Sequence, residues 1–259
     1  MIEQLYEAIK RMPGVEALAL AGSRASGNND EKSDYDIYIY SAEFIPNEVR
    51  KEYIEPLCSY AEIGNHYFES EDNVILSDGT PVDIIYRNIN YFNEKITRQL
   101  DECIAMNGYS TCFWHNIKTS EIIFDKTGTL TRLVESASRE YPKALKNAII
   151  KRNMELLHGY LPSYDKQIAK AFNRGDMVSV NHRTAAFLES YFDVIFALNE
   201  MTHPGEKKLV EICKRDCRIL PESFESNLAA LFENMFKRDV SDILENIVTE
   251  LSKVVNANT

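Results

Sequence analysis

The sequence predicts an α+β protein, with a mixed-sheet domain over residues 1–127 followed by an all-helical bundle domain over residues 128–259. Three observations predict it. Short β-branched and aromatic runs bounded by Gly, Asn and Asp are confined to the first half. From about Leu130 onward those runs stop, and segments with apolar residues at helical spacing follow one another. Breakers punctuate these segments at Pro142, Pro162, Gly175, Pro204–Gly205 and Pro221. A mixed half followed by a helical half is the pattern of two domains. At 44% hydrophobic, the chain has enough apolar material for a buried core.

The elements follow in order. Leu5, Ala8, Ile9 and Met12 recur with helical period, and Pro13–Gly14 ends that helix. Residues 15–21 (VEALALA) read as a short buried strand running into Gly22–Ser23. After a polar connection containing Gly and Asn, residues 36–40 (DIYIY) read as a second strand. Residues 74–76 and 82–86 flank Ser77–Asp78–Gly79–Thr80 and predict a hairpin on an Asp-Gly turn. A helix is expected over 91–106 and a short strand over 121–124. Helices are then expected over 130–139, 143–158, 164–173, 178–200, 206–217 and 224–256.

Charge and cysteine usage narrow the function classes. The net charge of -11 lies in the first half, where residues 1–127 carry 11 Lys and Arg against 22 Asp and Glu. Residues 128–259 are balanced at 18 of each. An acidic first half opposes a sequence-independent grip on nucleic acid, which needs clustered Lys and Arg. It suits a cationic substrate or a bound divalent metal. The five cysteines are irregularly spaced and odd in number, so a disulfide framework is not expected. Cys213 and Cys217 share a helical face, but no second Cys or His pair completes a zinc site. No apolar run approaches membrane-spanning length, and the first residues lack the apolar core of a signal peptide. A cytoplasmic location without membrane partners is the expectation.

The chemistry concentrates in residues 18–40, LALAGSRASGNNDEKSDYDIYIY. An apolar strand ends at Gly22–Ser23, and Asp34 and Asp36 open the next strand about ten residues later. Residues i and i+2 of a strand project to one face, so the two carboxylates stand together. Adjacent carboxylates repel unless a cation lies between them. Hard oxygen ligands suit magnesium, which completes its shell with water and phosphate oxygens. Gly22 permits close backbone approach to a ligand. Ser23 and the amides that follow can hold phosphate oxygens, and Arg24 can add a charge-assisted contact. Asp83, mid-strand in PVDIIY, is a charge that would be costly to bury without such a partner.

GSRASG followed by SDYDIYIY, with a later strand Asp, resembles the polymerase-beta-like nucleotidyltransferase superfamily over roughly residues 15–87. The likeness is to its small bacterial antibiotic-modifying and minimal members, which carry a helical domain after the catalytic one. A looser likeness lies in FDVIFALNEMTHPGEKKL (192–209) and implies Lys207 or Lys208 near the triphosphate. The resemblance implies attack of an acceptor oxygen on the α-phosphorus of a nucleoside triphosphate, with ATP the first choice of donor and pyrophosphate leaving. Asp34, Asp36 and Asp83 would hold magnesium, and the proton acceptor is Asp83 or a Glu of the helical half such as Glu189. The nucleotide is expected between the two domains. The acceptor is expected to be a small polar hydroxyl compound such as an aminoglycoside-like antibiotic. Modification of a protein or tRNA, and a non-catalytic nucleotide-binding regulator, are the alternatives. Some relatives pair subunits to complete the site, so the resemblance also admits a homodimer.

A competing motif is set aside. Residues 125–130 (DKTGTL) match the phosphorylated aspartate of ion pumps, which would make Asp125 a nucleophile. That chemistry needs a long α/β domain after the motif, and here the following residues read as helix. Asp125 is expected to end a strand in a turn. The five histidines show no metal spacing and are expected to be structural or exposed.

Overall fold

The computed structural model describes residues 1–25, 27 and 34–258, which form two compact units. The first comprises Met1–Thr97 and Phe113–Arg139, and the second comprises Arg98–Cys112 and Glu140–Thr259. In the first, helix α1 (Ile2–Arg11) leads to strand β1 (Ala17–Ala21), the single turn α2 (Gly22–Ala25) and strand β2 (Tyr35–Ser41). Helix α3 (Asn47–Ile54) and a 3-10 turn precede β3 (Cys58–Asn65), β4 (Glu71–Leu76) and β5 (Pro81–Asn88). Helix α4 (Ile89–Asp101) crosses into the second unit, and α5 (Cys112–Thr119), β6 (Glu121–Asp125) and α6 (Thr129–Ala137) complete the first.

The six strands lie in the order β3-β4-β5-β2-β1-β6. Only β2 and β5 run parallel; the other neighbours are antiparallel. A parallel pair needs a long crossover, and here α3 and the β3–β4 hairpin fill it. The Asp-Gly turn forms as expected, with Thr80 N–H donating to Asp78 Oδ1 at 3.1 Å and Leu76 N–H to the Thr80 carbonyl at 2.9 Å.

Strand β2 is apolar on both faces, so both need cover. Ile37 and Ile39 join Val74, Leu76, Val82 and Ile84 against Leu5 and Ile9 of α1 and Ile54 of α3. On the other face Tyr40 meets Phe92 of α4 at 6.4 Å, and Phe92 meets Phe113 of α5 at 5.6 Å. Arg87 lies between Tyr38 and Phe92, 3.7 and 4.7 Å from their ring centres, and pairs with Glu69 at 2.8 Å. Helices therefore flank both faces, because the rings of the β2 tyrosines need burial as much as the isoleucines do.

Among the described residues, one ion pair is fully inside. Arg50 of α3 reaches Asp72 of β4 at 3.3 Å, and both side chains have 0% exposure. Asp72 also accepts from the Tyr86 hydroxyl at 2.6 Å and from Gly64 N–H at 2.7 Å. Arg50 donates to the Ile45 carbonyl at 2.8 Å and lies over the Tyr86 ring at 3.6 Å. The pair thus fixes α3 to the strands that carry β5.

The second unit contains α7 (Lys143–Leu157), α8 (Tyr164–Asn173), α9 (Met177–Leu198), α10 (Leu209–Asp216), α11 (Phe224–Asn234) and α12 (Val240–Asn258). Helix α9 packs against α7, α8 and α10, and residues 190–198 are buried on every side. Asp193 lies inside that stretch. It accepts from Ser110 N–H and from the Asn153 amide, both at 3.0 Å, while Asn153 accepts from Gly108 N–H at 3.0 Å. These bonds tie residues 108–110 to the helices. Burial pushes the Asp193 carboxyl up to about 6, against the hydrogen bonds from Ser110 and Asn153.

Several elements differ from expectation. The helix expected over 91–106 stops at Asp101, and the following residues serve the Asn153–Asp193 contacts instead. The segment expected as one helix over 224–256 is α11 and α12, separated by a short break. Helices α3 and α5 and strand β3 were not anticipated; β3 is a half-exposed edge strand of mixed polarity. No helix among the described residues is long and apolar enough to cross a membrane.

Two measurements check this description. Asp72→Ala strands the buried Arg50 and is expected to lower the unfolding free energy in urea by about 3–5 kcal/mol. Glu102→Ala, which breaks an exposed pair with Arg98, is expected to cost at most about 0.5 kcal/mol. The second concerns pH. The folded Asp193 titrates near 6, whereas an unfolded Asp titrates near about 3.9. Its contribution to stability is therefore fully present below about pH 4 and lost as pH rises through about 6. Unfolding free energies measured across this window should show that fall in wild type, and Asp193→Asn should flatten it.

Candidate active site

Two of the three sequence-predicted carboxylates stand side by side at the start of the parallel pair. Asp36 of β2 is the register partner of Asp83 of β5. On the far side of β5, Asp83 is paired with Asn73 of β4, and beyond β2, Asp36 is paired with Ala21 of β1. Residues of one rung project to one face, and adjacent strands lie about 4.8 Å apart. Two carboxylates so placed repel each other unless a cation or a donor intervenes.

Asn73 supplies one donor. Its amide gives a hydrogen bond to Asp83 Oδ1 at 2.8 Å. The Asn65 amide in turn donates to Asn73 Oδ1, and Asn65 Oδ1 accepts from Tyr67 N–H at 3.3 Å. The β3–β4 hairpin thereby orients Asp83. Glu71, two residues before Asn73 on the same strand, has its carboxyl pushed up, first by burial and then by the charges of Asp83 and Glu69. Glu71 therefore adds to the negative charge around Asp83. Sequence reasoning missed Asn73 and Asn65; the available signal was an Asn inside the strand EDNVIL, where that residue type is disfavoured.

Gly22 fixes Asp36 from the other side. Its φ is +64°, and a Cβ built there would lie 1.8 Å from Asp36 Oδ2 and 2.6 Å from Cγ. Only a residue without a side chain lets the Asp36 carboxylate sit against the end of β1. Arg24 donates through Nε to the Asp34 carbonyl at 3.2 Å and lies 4.1 Å over the Tyr35 ring. It thus links the turn after β1 to the residue that precedes β2. Asp34 itself is exposed and stands just outside the strand. The Ser23 side chain lies outside the described residues, as do residues 26 and 28–33.

Other expected residues fall elsewhere. Lys207 and Lys208 are exposed in the turn before α10 and belong to the second unit, and Lys208 adopts φ +56°. Glu189 lies on α9, also in the second unit, and burial raises its carboxyl. Asp125 ends β6 and accepts from Thr131 N–H at 2.7 Å and from the Thr131 hydroxyl at 2.8 Å. It serves the first turn of α6, as a turn residue should. Among the described residues, no three His, Cys, Asp or Glu side chains converge as a metal cage. The rung instead offers two carboxylates, the share that magnesium takes from a protein when substrate phosphates and water supply the rest.

Residues 2–106 match the nucleotidyltransferase domain family, and residues 113–209 match a domain of unknown function, DUF4037. No curated protein matches the chain in sequence. Among solved structures the chain is similar to a nucleotidyltransferase-like protein from Exiguobacterium sibiricum 255-15, at 11% identity and a TM-score of 0.41, over 98% of this chain and 73% of that one. It is also similar to an aminoglycoside 6-adenyltransferase from Bacillus subtilis, at 8% identity and a TM-score of 0.32, over 98% of this chain and 90% of that one. Both likenesses are distant, and neither bears on what this chain acts upon. The matched segment 2–106 contains Gly22, Asp36, Asn73 and Asp83 together with the strands that position them. Residues 2–106 thus carry a nucleotidyltransferase domain.

Proposed function

We propose that this chain moves a nucleoside monophosphate, AMP from ATP, to a hydroxyl of a small polar acceptor in a magnesium-dependent reaction. The observation that carries the reading is the shared rung of Asp36 and Asp83 beside the Gly22 strand end. Asp36 and Asp83 would hold the metal there, with Asp34 contributing from the edge of the strand. Magnesium, when bound, would neutralise phosphate charge and supply Lewis acidity.

The residues of the chain do the rest. Backbone amides after Gly22, the Ser23 hydroxyl and Arg24 bind the triphosphate oxygens. Lys207 or Lys208 adds a cationic contact, a role supported by sequence resemblance alone. The acceptor oxygen forms a bond to the α-phosphorus as the bond to the bridging oxygen breaks and pyrophosphate departs. Asp83, oriented by Asn73, takes the hydroxyl proton. Fixed orientation of this kind is where a positioned base gains most of its effect. The surplus of acid in residues 1–127 supports a cationic acceptor of aminoglycoside type and disfavours nucleic acid. A cytoplasmic protein, as a monomer or a homodimer, fits this reading.

Calorimetry with ATP tests the metal site. Wild type is expected to bind ATP only with magnesium present, and Asp36→Asn/Asp83→Asn should lose that dependence. Equal binding by both proteins, or none by either, would overturn the assignment. If wild type passes, release of pyrophosphate in the presence of amino sugars, set against transfer of α-labelled phosphate to macromolecules in an extract, distinguishes the acceptor classes. Gly22→Ala supplies a separate check. The added methyl forces the Asp36 carboxylate aside and should weaken magnesium-dependent ATP binding by at least about tenfold, or about 1.4 kcal/mol, with the circular dichroism spectrum retained.

A further inference from the structure

The second unit contains a cavity of about 390 Å3 that the proposed transfer does not use. That size lies within the usual range for small-molecule sites. Helix α9 contributes Glu189 and Phe192 to its wall, the turn before α10 contributes Glu206, and Tyr109 and Phe232 contribute aromatic surface. No Lys or Arg lines it among the described residues; Lys207 and Lys208 follow Glu206 in the chain but are not part of the wall.

Tyr109 is held in place by unusual backbone. It has φ +50°, a conformation that residues other than Gly rarely adopt, and Gly108 before it has φ +76°. A Cβ on Gly108 would lie 2.6 Å from the Glu189 Cβ and 3.1 Å from its carbonyl carbon. The chain therefore passes directly against α9 at Glu189. Asn153 and Asp193 secure the flanking amides of Gly108 and Ser110 at 3.0 Å each. The local strain is maintained by the buried network rather than by the loop itself.

The potential in the cavity is negative. The Tyr109 phenol is pushed up to about 12, first by burial and then by the charges of Glu189 and Glu206, so both carboxylates act on the same hydroxyl. Burial alone lifts Glu189, and an adjacent cation would favour its charged form. An anionic ligand would be repelled here, and a neutral one would leave the carboxylates without a counter-charge. An organic cation satisfies them and also gains attraction from the aromatic faces.

We propose that this cavity binds a small organic cation, an ammonium group on a compact apolar frame. Glu189 and Glu206 serve as its counter-ions, and Tyr109, Phe192 and Phe232 form its aromatic walls. The site stands on residues of the second unit and does not rest on the transfer reaction.

Calorimetry on the full chain, without nucleotide or magnesium, tests this with benzylammonium as the probe and benzyl alcohol as its neutral counterpart. Benzylammonium is expected to bind wild type at least about tenfold more tightly than benzyl alcohol. Glu189→Gln and Glu206→Gln should each weaken benzylammonium at least about tenfold and leave benzyl alcohol unchanged. Glu206 is exposed, so its substitution preserves folding and keeps the test decisive if Glu189→Gln is unstable. Phe232→Ala, also at an exposed position, should weaken both probes. Equal binding of the two probes, binding indifferent to Glu206→Gln, or no benzylammonium binding up to about 10 mM would overturn the proposal.

Discussion

The parallel pairing of β2 with β5 is the constraint on which the first unit depends. It sets Asp36 beside Asp83 on one rung and, two residues on, Tyr38 beside Ile85. The same strand must therefore present carboxylates at its start and bulky rings further along, all on one face. The aromatic layer of Tyr40, Phe92 and Phe113 covers the later positions, while Asp36 and Asp83 remain only partly buried. Shifting the pairing by one residue would send the carboxylates to the opposite face, among the isoleucines that pack on α1. The register of one strand pair thus serves both packing and the placement of charge.

The candidate site was legible where its residues are consecutive in sequence. Gly22, Asp34 and Asp36 lie within one segment, and the period of two places alternate residues on one face without knowledge of the sheet order. Asp83 was legible for a different reason, as a charge flanked by apolar residues that needed an explanation. Asn73 and Asn65 were not, because their role depends on β4 lying beside β5 and β3 beside β4. Strand β3, CSYAEIGN, has few β-branched residues, and its pairing rather than its propensity makes it a strand. Helix α4 ends before its pattern does because Met106 to Ser110 make tertiary contacts to Asn153 and Asp193, and such contacts override local period.

The second unit was legible as a series of helices, since Pro and Gly mark most of its breaks. Its polar interior was not. Asp193 sits in FDVIFAL, a run that reads as pure core, yet it is the acceptor that holds residues 108–110. A buried carboxyl with satisfied partners adds specificity that an apolar side chain cannot, because its bonds are directional. The same network presents Tyr109 to the cavity. Structure that looks like packing from the sequence is here also the support of the proposed ligand surface.

Two sets of acids in the first unit show why some carboxylates are architecture and others are candidates for chemistry. Asp72 and Asp83 lie on adjacent strands but face opposite sides of the sheet. Asp72 is enclosed, with Arg50, the Tyr86 hydroxyl and Gly64 N–H directed at it. Its charge is answered within the protein, so it has nothing left to offer a ligand. Asp83 has the Asn73 amide and, as its neighbour across the rung, another acid. Two anions at strand spacing repel each other, and a divalent cation between them relieves that repulsion. In the proposed reaction an external cation, carrying a phosphate ligand with it, completes the charge balance of this pair.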